Sequence, residues 1–130
     1  TLDALRDLEL LLLDDGHCLR DQIVELCQLA EVDRSPGAQS ATRAASLTTV
    51  VQLVVAGLGS TLVPMSAVAT ECTRPGIAVS AFADGVEAKR TVGLVMRSSS
   101  RRQQEFARLG ELITRAFAKA TEASVALLPR

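Results

Sequence analysis

Leu10-Leu11-Leu12-Leu13 is a run of four consecutive leucines, and Asp14-Asp15-Gly16 stops it at once. A run this short reads as a buried strand, and the two acids and a glycine behind it are turn chemistry. From His17 to Ala30 the period changes. Leu19, Ile23, Leu26, Cys27 and Ala30 recur at the spacing of one helix face. Strand, tight turn and helix in that order are the opening of an α/β unit. The rest of the chain is constrained to supply strands that pair with the first and helices that cover it.

Turn and helix signals continue along the chain. Ser35-Pro36-Gly37 ends the first unit, and Gln39 to Ala45 is expected as a strand. Ser46 is placed to cap an apolar helix, Leu47 to Ala56, which Gly57 and Gly59 close. Core packing is the first reading of that helix, and a subunit contact the second. Ser60 to Val63 reads as a strand stopped by Pro64, with a short helix from Ser66 to Cys72. Strands are expected at Ile77–Phe82 and Arg90–Met96, separated by the Asp84-Gly85 turn. Phe106, Leu109, Ile113, Ala116, Phe117 and Ala120 form one stripe on a helix from about Ser100 to Ala120, expected on the surface of the sheet. The fold class is therefore α/β with some parallel sheet, without internal repeat.

Composition excludes several roles. Fourteen basic and fifteen acidic residues leave a formal charge of −1, so no basic field neutralises nucleic-acid phosphates. Three Phe with no Tyr or Trp offer no stacking platform for single strands or sugars. No apolar run reaches the roughly 18–20 residues that span a bilayer, so no membrane partner is expected. The three cysteines are too few, and odd in number, for a secreted disulfide scaffold, which makes a reducing cytoplasm the expected setting. The chain begins at Thr1 and is expected to be a piece of something longer.

Two of those cysteines stand on the first helix, nine residues apart. Nine helical residues separate two Cα atoms by about 13.5 Å along the axis and about 180° around it. A disulfide needs roughly 4.4–6.8 Å between Cα atoms, so Cys18 and Cys27 bond only if the helix unwinds. Their settings differ as well. Cys18 lies at the helix start, where unpaired N–H groups, His17 and Arg20 favour a thiolate, while Asp14, Asp15 and Asp21 oppose it. Cys27 belongs to the apolar stripe. An exposed reactive thiol with a buried resolving one suits peroxide chemistry. Two small hydrophobes in a core account for the same pattern, and His17 serves equally as a surface or capping residue. Neither a metal site nor a catalytic triad has enough ligands or partners, because His17 is the single histidine. Gly57-Leu58-Gly59 reads as a turn and not a phosphate loop, and Cys72 reads as structural.

The stretch from Leu12 to Gln22 (LLDDGHCLRDQ), with Cys27 behind it, resembles the sensing segment of peroxide-responsive LysR-type transcriptional regulators. The resemblance continues through Arg43-Ala44-Ala45-Ser46-Leu47, through Gly57 to Pro64 (GLGSTLVP) and through Lys89 to Val95 (KRTVGLV). It implies a periplasmic-binding-protein-like regulatory domain of two α/β subdomains joined by crossing strands. Residues 1–84 would be mostly the inserted subdomain, and 85–130 mostly the return strand and C-terminal helix. The winged helix-turn-helix, the linker helix and the early half of the regulatory region would lie outside this chain.

By the same resemblance Cys18 is the peroxidatic thiol and Cys27 the resolving thiol, with His17, Arg20, Asp21 and Arg90 around the reactive sulfur. The implied signal is hydrogen peroxide, and the implied assembly a homodimer or homotetramer. The implied partners are DNA through the absent domain, RNA polymerase, and glutaredoxin or thioredoxin as reductant. No cofactor, no metal and no enzymatic turnover are expected. Two rivals remain: a LysR-type effector domain that binds a small metabolite with the cysteines structural, and a thiol peroxidase. The peroxidase would usually carry a C-x-x-C or similar motif on a thioredoxin-like fold, and none is present.

Overall fold

The computed structural model describes residues 1–30 and 43–129. The expected Ser35-Pro36-Gly37 turn, and the expected strand from Gln39 as far as residue 42, lie outside the described residues. After a single 3₁₀ turn at Asp3–Asp7, the elements are β1 (Leu12–Leu13), α1 (Cys18–Leu29), β2 (Arg43–Ala44), α2 (Leu47–Val55), α3 (Met65–Glu71) and α4 (Gln103–Val125).

β1 pairs with β2 in parallel, Leu12 against Arg43 and Leu13 against Ala44, and a further parallel bridge joins Leu10 to Ser60. The leucine run explains why this region is the core. Successive side chains of extended backbone point to opposite sides. Leu10 and Leu12 pack with Ile23 and Cys27 of α1, while Leu11 and Leu13 pack with Ala44 of β2 and Val50 of α2. With a helix on each face, the strand needs apolar residues at every position instead of alternate ones. Leu19, in the first turn of α1, reaches both clusters.

The helix ends follow local chemistry. Ser46 has extended backbone, and its Oγ accepts from the Thr49 N–H at 3.2 Å, which satisfies one open donor of α2. At the other end Gly57 takes φ +78°. The Gly57 N–H donates to Val54 O at 2.9 Å and the Leu58 N–H to Leu53 O at 3.1 Å, the paired bonds of a Schellman cap. Gly59 serves a different need. A Cβ there would stand 2.5 Å from the carbonyl oxygen of Glu9. Without one, the Ser60 N–H reaches that same oxygen at 2.7 Å, and Leu11 N–H donates to Ser60 O at 2.7 Å. The expected strand at Ser60–Val63 is thus reduced to one bridge, at Ser60.

α3 packs against the C-terminal end of α4. Ser124 is fully buried, and its Oγ accepts from the Ala69 N–H at 3.0 Å, a polar tie inside that contact. The expected strands at Ile77–Phe82 and Arg90–Met96 form no ladder among the described residues. Their composition suits a strand, but a strand exists only where a neighbour takes its N–H and C=O groups. The stripe on α4 is likewise uncovered: Leu109, Ile113, Ala116 and Phe117 are exposed among the described residues, and only Phe106 and Ala120 are partly covered. No helix of the described residues is long and apolar enough to cross a membrane.

Candidate functional site

The turn Asp14-Asp15-Gly16 delivers the chain from the buried end of β1 to the first turn of α1, at the surface. His17 occupies the N-cap position with extended backbone, and its C=O accepts from Arg20 N–H at 2.9 Å. Cys18 is the first residue of α1 and is exposed. Helix N–H groups at such a position have no intrahelical acceptor.

Arg90 comes to this thiol from 72 residues away, and its Nη2 donates to Cys18 Sγ at 3.7 Å. Cys27 lies farther along the same helix, 1% exposed, among Leu10, Leu12 and Ile23. The two sulfurs therefore sit in one continuous helix, one in solvent beside a guanidinium and the other in the core. Both are thiols, as is Cys72.

The remaining expected residues separate. Arg20 pairs with Asp15 through Nη1. His17 and Asp21 are exposed and make no side-chain hydrogen bond among the described residues. Asp15 and Arg43 were not singled out in the sequence as partners. Asp15 Oδ2 accepts from Arg43 Nη1 at 3.0 Å, so one carboxylate holds two guanidiniums. Acid and base stand 28 positions apart in the chain, and no local spacing signals their meeting.

Cys72 follows α3 and is half-buried. Burial, and to a lesser degree the adjacent Glu71 carboxylate, push its thiol up from the ordinary value of 9.0. It lines a groove of about 680 Å³ together with Leu19 and Ile23 of α1, Phe82, Arg90 and Phe117. No group of three or more His, Cys, Asp or Glu among the described residues is arranged to hold a metal ion.

The family model described as LysR substrate binding domain matches residues 1–118. The probable hydrogen peroxide-inducible genes activator of Mycobacterium avium is 51% identical over 110 residues, which cover 85% of this chain and 34% of that protein. The DNA-binding transcriptional dual regulator OxyR of Escherichia coli K12 is 41% identical over 105 residues, covering 81% and 33%. The chain thus spans about a third of the length of the curated relatives it matches.

Among solved structures, a mutant of Corynebacterium glutamicum OxyR with hydrogen peroxide bound superposes with a TM-score of 0.87 at 54% identity, over 97% of this chain and 39% of that one. The oxidized form of the same protein superposes with a TM-score of 0.73 at 55% identity, with the same coverage. With its family model spanning residues 1–118 and its relatives of the OxyR type, the chain belongs to the LysR substrate-binding domain family, a periplasmic-binding-protein-like regulatory fold.

Proposed function

We propose that this chain is the peroxide-responsive part of a LysR-type transcription regulator, in which Cys18 and Cys27 form a reversible switch. The observation that carries the reading is the pair of thiols on α1, Cys18 exposed beside Arg90 and Cys27 buried. The Cys18 sulfur attacks one oxygen of hydrogen peroxide, the O–O bond breaks, and water leaves once the proton is delivered. Cys18 becomes a sulfenic acid. The Cys27 sulfur then attacks Cys18, and the sulfenic oxygen departs as a second water. Arg90 is the group in reach of the reacting sulfur, and a charge-assisted donor there stabilises negative charge on it.

Closing the bridge requires α1 to unwind, because nine helical residues hold the two Cα atoms about 13.5 Å apart along the axis. Chemistry and conformation are thereby coupled. The relatives support this. The structure superposes better on an OxyR with peroxide bound than on oxidized OxyR, at nearly equal identity. A cellular dithiol carrier, glutaredoxin or thioredoxin, restores the thiols in the cytoplasm. The protein is therefore a sensor that turns over only with that reductant, and not a peroxide-consuming enzyme. Residues 1–84 make up mostly the inserted subdomain and 85–130 mostly the return. DNA contact, RNA polymerase contact and dimer or tetramer assembly belong to the whole protein.

The test is a peroxide titration of the reduced full-length protein, with thiol and disulfide peptides mapped by mass spectrometry and helicity followed by circular dichroism. A Cys18–Cys27 bridge accompanied by loss of helical signal is expected. Replacing Arg90 by Gln should slow the first oxidation about ten-fold, the scale of one hydrogen bond to a charged partner. A Cys18 that stays reduced at peroxide excess sinks the reading. One observation favours a second reading, the 680 Å³ groove, which has the volume of a small-molecule site. A metabolite that raises the melting temperature of a Cys18→Ser, Cys27→Ser variant would put that reading in front.

A further inference from the structure

The turn before α1 carries a clasp. Each oxygen of the Asp15 carboxylate takes one guanidinium: Oδ1 accepts from Arg20 of α1, and Oδ2 from Arg43 of β2 at 3.0 Å. Beside it the Asp14 N–H donates to Ala44 O at 3.0 Å, so the backbone of the turn is fixed to the same strand. The three charged residues do not belong to one rigid piece. Arg20 lies inside the stretch between Cys18 and Cys27 that must unwind, whereas Asp15 and Arg43 lie outside it.

Arg20 depends on that acid. Its side chain is 15% exposed, and its Nε is buried with no hydrogen-bond partner in the described structure, so Asp15 is what its guanidinium holds. The acid itself is 70% exposed, which keeps the strength of the pair modest.

We infer that Asp15 is a positioning residue for the redox response: it fastens Arg20, and with it the first turn of α1, to β2 in the thiol form, and it loses that partner when the bridge forms. The inference rests on the proposed Cys18–Cys27 switch. Asp15 touches neither sulfur nor peroxide. Its action is on the balance between intact and unwound α1, so it sets how oxidising the surroundings must be before the bridge persists.

The experiment equilibrates the full-length protein with dithiothreitol buffers of graded oxidised-to-reduced ratio and reads the bridged fraction by mass spectrometry. Asp15→Asn should raise the equilibrium constant for the bridge about five-fold, the upper range for an exposed ion pair. Arg20→Gln breaks the same pair from the helix side and should give a rise of the same size, which covers the case in which Asp15→Asn fails to fold. Asp15→Glu should return the constant toward the parent value. Asp14→Asn removes an equal charge one residue away without breaking an ion pair and should leave the constant where the parent has it.

A merely structural acid would lower the melting temperature of both redox forms alike and leave the constant unmoved. That outcome, or an equal rise in Asp14→Asn, overturns the clasp while the switch stands. A parent protein that forms no Cys18–Cys27 bridge overturns the switch, and the clasp with it.

Discussion

At the scale of single residues, three thiols in one chain have three different surroundings. Cys18 faces solvent and a guanidinium, Cys27 is sealed under two leucines, and Cys72 is half-buried beside an acid. The last case gives a pH dependence whose sign is fixed. Folding raises the Cys72 value above 9.0, so the folded state holds the proton more tightly than the unfolded chain. Its contribution to stability is complete below pH 9.0 and is lost as pH rises through the folded value. With iodoacetamide at neutral pH, Cys72 in the folded protein should alkylate more slowly than in urea, and the lag should persist past pH 9.0. Peptide mapping of the two samples at matched times checks this. Equal rates would mean the burial is not maintained in solution. The contrast between Cys18 and Cys27 was legible from helix spacing alone, because a nine-residue separation turns one to each side. The Asp15–Arg43 pair was not, since only the parallel pairing of β1 and β2 brings those positions together.

At the scale of elements, the readable parts were those whose determinants are local. The change of period after Gly16 located α1 to within a residue or so at each end, and Ser46 with Gly57 marked both ends of α2. The unread parts depend on distant partners. Ile77–Phe82 and Arg90–Met96 have strand composition but no neighbour to pair with among the described residues, and composition cannot supply one. The crossing at Gly59 was equally hidden, because its glycine answers to Glu9, fifty residues earlier. Two substitutions should separate local from distant determinants. Ser46→Ala removes a cap and should cost about 1 kcal/mol in urea unfolding. Gly59→Ala forces a Cβ against a backbone oxygen that cannot retreat without opening the Leu10–Ser60 bridge, and should cost roughly 2–3 kcal/mol. If Gly59→Ala were the milder of the two, the close approach of the chains would be in error.

At the scale of the whole molecule, the packed centre around β1 contrasts with the apolar surface elsewhere. Leu109, Leu112, Ile113 and Phe117 on α4 are exposed, and so are Val92 and Val95, the latter at 92%. Contiguous apolar surface of this kind is uncommon on a soluble monomer. The isolated 130-residue chain should therefore bind an apolar dye such as anilinonaphthalene sulfonate while retaining its helical signal. A Leu112→Glu, Ile113→Glu, Phe117→Glu variant should lose most of that fluorescence. Fluorescence unchanged by the triple substitution would place the dye elsewhere. The burial of Cys27 also has a consequence in time. If Cys27 reacts as proposed, a thiol packed against Leu10 and Leu12 would be reached no faster than α1 opens, whatever the oxidant concentration. In the proposed Cys18–Cys27 switch, bridge formation would then saturate, and a dithiol would erase an oxidised Cys18 before the helix opened. Under the proposed switch, brief bursts of oxidant would leave no record and sustained ones would, so the core around Cys27 would act as a delay line that answers to the duration of stress as well as its intensity.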